Sequence, residues 1–117
     1  MNIPIGLELK ESPVHGLGIF ATVNIKKGSY LGEFIGEFMK HPEFKMKYGN
    51  DIRYCYLKRR TWEYRVAKEE RNFITYMNCN RKNPNVILKN WCAYALQDIA
   101  IGDELFLNYG KDYPYDF

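Results

Sequence analysis

The chain has 117 residues, a formal net charge of +3, 46% hydrophobic residues and three cysteines. This length suits one domain with a modest core, and the small charge argues against a direct nucleic-acid partner. The odd cysteine count without C-x-x-C spacing supports neither disulfides nor zinc, and with no signal-peptide pattern and no membrane-length window we expect a soluble intracellular protein without a membrane partner.

Aromatic residues are unusually common for a domain of this size. Ten tyrosines, seven phenylalanines and two tryptophans exceed what a minimal core needs. Small domains often place such a surplus around a pocket or at an interface. The composition therefore predicts an aromatic-lined site or contact surface.

The first third of the chain has the pattern of short strands separated by glycines. Polar and apolar residues alternate over 5–10, which predicts a strand. Gly16 and Gly18 then form a G-x-G pair before an apolar strand, which suits either a backbone passing very close to another group or a hairpin turn. With no third glycine and no following helix, the pair is not a dinucleotide fingerprint. A glycine-broken strand is predicted over 29–38, with a bulge or strong twist.

The middle of the chain is the least decipherable. We predict a turn at 48–51 and a strand over 53–57. The basic run 58–60 indicates either a solvated surface patch or a docking site for an acidic partner. Residues 62–71 show mixed helical features, and residues 72–77 fit a short helix or an irregular segment.

The segment 78–85 is rich in asparagine and lies between apolar residues on both sides. Asparagine side chains both donate and accept hydrogen bonds and favour turns. A polar loop between buried segments is expected to be structured by internal hydrogen bonds. A further strand is predicted over 91–96.

The last predicted strand follows a turn at Gly102-Asp103. Alternation puts Leu105, Leu107 and Tyr109 on one face, which is apolar until the phenol at its end. That hydroxyl could orient a polar atom delivered from outside, or it could be a core tyrosine with a hydrogen-bond partner. Together these patterns predict a compact, mostly antiparallel β domain with little helix.

Three segments occur in a familiar order. They are His15-Gly16-Leu17-Gly18, then Tyr76-Met77-Asn78-Cys79 with Pro84-Asn85, then Gly102-Asp103-Glu104-Leu105 through Tyr109-Gly110. In this order they resemble the SET domain of protein lysine methyltransferases, including the related PR domains. The resemblance runs from about Ile5 to Tyr113 and implies a single SET domain over 1–117 with an insert region at about 39–71.

The resemblance implies a fold and an activity. The fold would be the SET β-clip of short antiparallel sheets with a C-terminal pseudoknot. The activity would be transfer of a methyl group from S-adenosylmethionine (SAM) to a protein lysine, leaving S-adenosylhomocysteine, without a metal. Histone H3 tails would be the substrate. A catalytically silent SET/PR interaction module and a methyltransferase for a non-histone protein are the alternatives.

The small size also resembles the compact SET proteins of large DNA viruses. That resemblance implies a nuclear location, in the host nucleus if the protein is viral. A domain this small with surplus aromatics could complete its substrate groove as a homodimer. The peptide substrate would add as a strand beside an exposed sheet edge.

The resemblance also assigns roles to residues. Tyr109 would be catalytic, holding the lysine amine toward the methyl group, and Phe34, Leu107 and Tyr109 would wall the substrate channel. Leucine at 107, where some members carry Phe or Tyr, implies that addition is not limited to one methyl. The residues implied to bind the cofactor are His15, Gly16, Leu17, Gly18, Asn78, Cys79 and Tyr113.

Two departures from the family pattern stand out. Cys79 occupies the place of a family histidine, whose cofactor contacts are largely through backbone, and PR domains similarly show Asn-Cys there. The zinc-binding cysteine cluster that closes the site in several subfamilies is missing. The tail would then supply the lid over the adenine, with Tyr113, Tyr115 or Phe117 as candidates.

Overall fold

The computed structural model describes residues 1–108, and these residues form ten short strands, one α-helix and one 3₁₀ helix. The helices are α1 (His41–Tyr48) and the 3₁₀ helix Phe73–Tyr76. The strands are β1 (Leu7–Glu11), β2 (Leu17–Ala21), β3 (Tyr30–Glu33), β4 (Glu37–Lys40), β5 (Cys55–Lys58), β6 (Glu63–Val66), β7 (Asn78–Cys79), β8 (Val86–Lys89), β9 (Cys92–Ala95) and β10 (Phe106–Leu107).

The strands pair into four small sheets. The β1–β2 hairpin is antiparallel, and so are the three-stranded sheets β3-β9-β8 and β4-β6-β5. Only β7 and β10, among the described residues, pair in parallel. This confirms the predicted architecture of mostly antiparallel β-structure with little helix. The part of the predicted pseudoknot beyond Asn108 lies outside the described residues.

The main core collects side chains from nearly every sheet. On β2, the residues after Leu17 are all buried, so this strand passes through the interior rather than along the surface. Sheets this small are not stable alone, so each sheet buries its hydrophobic face against the neighbouring sheets. The core members are Leu7, Ile19, Ala21, Leu31, Phe34, Ala67, Phe73, Ile74, Met77, Val86, Ala93, Ala95, Ile99, Leu105 and Leu107.

A second, smaller core lies between α1 and the sheet β4-β6-β5. It contains Met39, Phe44, Tyr64 and Val66. The rings of Phe44 and Tyr64 stack with their centroids 4.0 Å apart. The sequence did not predict helix α1. Phe44 is the one residue of this helix that is buried, and a helix with a single buried side chain shows little apolar periodicity.

The helical interpretation of residues 62–71 is wrong. Glu63–Val66 is β6, the central strand of its sheet, paired with β4 on one side and β5 on the other. Tyr64 and Val66 alternate as buried residues, which is the two-residue period of a strand. Over four residues this period is too short to outweigh the local helical propensity in the sequence. Pairing with β4 and β5 is what makes the segment a strand.

The predicted strands at 5–10, 53–57 and 91–96 are confirmed with small shifts of their ends. The glycine-broken strand over 29–38 is two strands, β3 and β4, which join different sheets, and β3 has a register shift between Tyr30 and Gly32. No helix of residues 1–108 is long and apolar enough to cross a membrane.

Candidate active site

The predicted G-x-G loop and the asparagine loop meet in the structure. Asn78 lies on β7, is 3% exposed, and donates from Nδ2 to the backbone oxygen of His15 at 3.0 Å. The same nitrogen lies 2.8 Å from Oε2 of Glu104. Two segments more than sixty residues apart in sequence are therefore joined by one buried amide.

Glu104 is a buried residue that connects these two segments. Glu104 is 8% exposed, and its carboxylate accepts from the Ser12 hydroxyl at 2.7 Å as well as from Asn78. Oγ of Ser12 in turn accepts from the backbone N–H of Val14 at 3.0 Å. Buried carboxylates need such donors, because removing a charge from water without compensation is costly. Glu104 thus anchors the loop that begins at Ser12.

Gly18 is the residue that lets this carboxylate approach. A Cβ atom built on Gly18 would lie 2.4 Å from Oε2 of Glu104 and 3.2 Å from Nδ2 of Asn78. Only glycine leaves room for the carboxylate and amide against this strand. The close approach predicted for the G-x-G pair is therefore real at Gly18, and the group approached is the protein's own carboxylate.

The asparagine loop is structured, as predicted. Asn80 Oδ1 accepts from the backbone N–H groups of Lys82 and Asn83 at 3.2 and 2.9 Å. Asn85 donates from Nδ2 to the backbone oxygen of Glu104 at 2.9 Å, and its Oδ1 accepts from the Phe106 N–H at 2.7 Å. These bonds hold β10 beside β7, with Leu107 opposite Cys79.

A cavity of about 230 Å³ opens where the two loops meet. Sites for whole small molecules usually start near 300 Å³. The described residues thus enclose a space for part of such a molecule. The lining residues are His15, Gly16, Leu17, Tyr54, Arg71, Thr75, Tyr76 and Asn78.

Arg71 gives one wall of this cavity a fixed positive charge. Its guanidinium carbon lies 4.1 Å from the ring centroid of Tyr54 and 3.7 Å from that of Tyr76. Nε donates to the Thr75 hydroxyl at 3.1 Å and Nη2 to the Thr75 backbone oxygen at 2.8 Å. A cation packed against two rings and bonded to the chain loses little further freedom on binding an anion.

Phe34 and Leu107, predicted as channel walls, both belong to the main core and are 3% and 4% exposed. Neither lines the cavity. Phe34 meets the ring of Tyr56 edge-on at 5.8 Å, and Tyr56 meets Trp91 at 4.9 Å. Burial raises the pKa of Tyr56, so this phenol stays neutral. The channel itself stays a prediction.

The structure brings together four of the predicted cofactor residues at the cavity: His15, Gly16, Leu17 and Asn78. Gly18 and Cys79 do not line the cavity, and Cys79 is half-buried in β7. Tyr109 and Tyr113 lie outside the described residues, as do the other tail aromatics.

The sequence did not point to Tyr54, Arg71, Thr75, Tyr76 and Glu104 as site residues. Tyr54 and Arg71 come from the predicted insert region, and Thr75 comes from the segment interpreted as a short helix or an irregular segment. Tyr76 and Glu104 belong to family motifs, but no role was predicted for either. The role of Glu104 depends on a hydrogen bond to Ser12, 92 residues away. A local pattern cannot reveal a partner at that separation.

Comparison with known proteins places this geometry in a family. The SET domain family model matches residues 16–110. The chain therefore belongs to the SET-domain family, which confirms the resemblance seen in its motifs.

Among curated proteins, mouse histone-lysine N-methyltransferase NSD3 is 27% identical over 90% of this chain, and the Plasmodium falciparum variant-silencing SET domain-containing protein is 22% identical over 94%. The chain spans only 8% and 5% of the length of those two relatives.

Two solved structures share the fold. The polycomb repressive complex 2 of Chaetomium thermophilum, in an autoinhibited conformation bound to S-adenosylmethionine, matches with a TM-score of 0.76 and 27% identity over 94% of this chain and 16% of that chain. The methyltransferase domain of human PR domain-containing protein 2 matches with a TM-score of 0.66 and 28% identity over 96% of this chain and 82% of that chain.

Proposed function

We propose that this protein is a SAM-dependent protein-lysine N-methyltransferase whose cofactor binds in the cavity between the G-x-G loop and the asparagine loop. The observation that carries the proposal is the buried Asn78 amide bonded to the His15 backbone oxygen, beside a cavity lined by both loops. The SAM-bound relative and the lysine methyltransferase NSD3 support the cofactor and the reaction.

The chemistry sets what the site must do. A lysine amine is almost fully protonated at neutral pH, so it must lose a proton before it can attack the sulfonium methyl. An apolar channel lowers the amine pKa by desolvation, and the adjacent sulfonium charge acts in the same direction. Phe34 and Leu107 would supply the apolar walls, and the Tyr109 hydroxyl would orient the neutral amine in line with the methyl group.

Cofactor binding is assigned to both loops. The backbone of His15, Gly16 and Leu17 would face the methionine part of SAM, and Asn78 and Cys79 would hold its other end, with Tyr113 covering the adenine. Product S-adenosylhomocysteine would leave by the same opening. The proposed transfer of the sulfonium methyl group to the amine uses no metal.

The substrate is a protein lysine, and histone H3 tails are the proposed target. The named relatives support this choice, since NSD3 is a histone-lysine N-methyltransferase and a polycomb complex is solved with H3K27me3 and H3K27M. A nuclear location goes with such a substrate, and a non-histone protein is the competing target. Purified protein incubated with radiolabelled SAM, recombinant histones and a non-histone panel tests both; label in no acceptor would favour the silent module.

Arg71 is proposed to bind the carboxylate of the methionine part of SAM, because it is the fixed cation of the cavity wall. Arg71→Gln should weaken S-adenosylhomocysteine binding about tenfold or more, the size of a lost charged hydrogen bond. Methylthioadenosine, which lacks the amino-acid part, should bind both proteins equally. Calorimetry with the two ligands measures this.

The control for Arg71 is Arg60→Gln, which removes an exposed guanidinium that does not line the cavity. It should leave both affinities unchanged. Equal weakening of both ligands by Arg71→Gln would mean that the arginine supports the fold of the cavity rather than the carboxylate.

Leu107 leads to a prediction about the product. A leucine leaves more room in the channel than Phe or Tyr and offers no hydroxyl to hold a water. We expect di- or trimethyl-lysine to accumulate at long incubation. Mass spectrometry of the modified substrate checks this, and only monomethyl-lysine after exhaustive reaction would contradict it.

A further inference from the structure

The sheet β4-β6-β5 has two very different faces. Met39, Tyr64 and Val66 point to helix α1 and form the second core. Because side chains alternate along a strand, Phe38, Lys40, Lys58, Glu63 and Arg65 lie on the opposite face. This face carries charge and exposed aromatic surface. Its Arg65 donates to the Phe34 backbone oxygen and packs on Trp91, whereas its Phe38 and Lys40 end has no part in the site described above.

Four cations gather at one end of this face and in the turn that follows it. Lys40 and Lys58 lie opposite Glu63 from the two sides, on outer strands about 10 Å apart. Arg59 and Arg60 continue into the exposed β5–β6 turn. The four cations and Glu63 together carry a local charge of +3. This equals the formal charge of the whole chain.

Aromatic rings accompany these cations. Phe38 and Trp62 are 52% and 45% exposed. Lys40 Nζ lies 5.7 Å from the Phe38 ring centroid and the Arg59 guanidinium 5.9 Å from that of Trp62. Trp62 also packs against His41 at 4.6 Å, which connects the turn to the end of β4. These cations and rings form a strip around the end of the sheet, with Phe38 and Lys40 on the outer face and Trp62 at the turn beside His41.

We infer that this strip, formed by Phe38, Lys40, Lys58, Arg59, Arg60 and Trp62, docks an acidic peptide segment with apolar side chains between its carboxylates. Carboxylates would pair with the cations and apolar side chains would cover the two rings. Phe38 and Trp62 are large enough to act as the anchors that dominate small interfaces.

The charge pattern favours an acidic peptide over a nucleic acid. Glu63 sits between Lys40 and Lys58 and is held there by the Thr61 hydroxyl at 2.7 Å and by Lys40 at 3.2 Å. These bonds lower the pKa of Glu63, so it stays an anion. A regular phosphate backbone would meet this fixed negative charge, whereas a peptide can place an apolar residue there. The local charge is also small for phosphate binding.

The test is fluorescence anisotropy of the full chain with a fluorescein-labelled peptide of alternating Glu and Leu. The wild type should bind it more tightly than the matching Gln and Leu peptide, and more tightly than labelled oligodeoxythymidine. Arg59→Glu with Arg60→Glu should weaken binding about tenfold or more. Phe38→Ala should weaken it as well, with the net charge unchanged.

The matched control is Lys26→Glu with Lys27→Glu, which reverses two adjacent exposed cations elsewhere. This control should bind like the wild type, and equal thermal midpoints would show that all variants are folded. Equal loss in the control, tighter binding of the oligonucleotide, or no effect of the arginine reversals would overturn the proposal. So would light scattering that shows self-association abolished by those reversals, since a second copy would then occupy the strip.

Discussion

Gly18→Ala is expected to reduce SAM affinity about tenfold to a hundredfold. The added methyl group would lie 2.4 Å from the Glu104 carboxylate, so the carboxylate or the strand must move. Overpacking of this kind typically lowers folding stability by about 1–3 kcal/mol. Because Glu104 and Asn78 together hold the loop from Ser12 to His15, that movement is passed directly to the cavity. Calorimetric titration with SAM, beside a thermal melt, measures the effect.

Gly49→Ala is the control. A Cβ at Gly49 meets nothing within 4 Å, and Gly49 does not line the cavity, although its φ of +64° carries the conformational cost of the left-handed region. A smaller loss of SAM affinity than for Gly18→Ala would show that the contact with Glu104 matters. Equal losses would mean that a general loss of stability is responsible, and the role given to Glu104 would be wrong.

Tyr109→Phe is expected to slow methyl transfer about a hundredfold and to leave SAM affinity nearly unchanged. The proposed hydroxyl acts on the amine in the transition state, and removing one such oriented group typically costs about 10²–10³ in rate. Tyr109 lies outside the described residues, two positions beyond Leu107. Single-turnover transfer of labelled methyl to the substrate measures the rate.

Tyr30→Phe controls for the loss of a phenol, since Tyr30 is 60% exposed and packs against Tyr94. Its transfer rate should match the wild type. Undiminished transfer by Tyr109→Phe would show that the hydroxyl has another role.

The sequence predicted the fold class because glycine turns and short alternating strands are local signals. It also placed His15 to Gly18 and Asn78 at one site, since the family motifs lie in short continuous segments. Helix α1 could not be predicted, because it is held by Phe44 against Tyr64, a contact that the local pattern does not contain. The same holds for β6, whose strand character comes from two neighbours.

The missed site residues have a similar explanation. Arg71 matters because its guanidinium packs against the rings of both Tyr76 and Tyr54, and Tyr54 lies seventeen positions earlier in the sequence. Tyr54 adopts a φ of +61°, which is uncommon for an aromatic residue and is not signalled by its neighbours in sequence. A cavity assembled from side chains of separate segments becomes visible only when the chain is folded.

The most direct test is a crystal structure of the protein with S-adenosylhomocysteine. The ligand's amino-acid part should lie between residues 15–17 and Asn78, with its carboxylate on Arg71 and its sulfur pointing toward Leu107. A ligand bound elsewhere, or an empty cavity in crystals grown at saturating S-adenosylhomocysteine, would contradict the proposed cofactor site and the methyltransferase activity built on it.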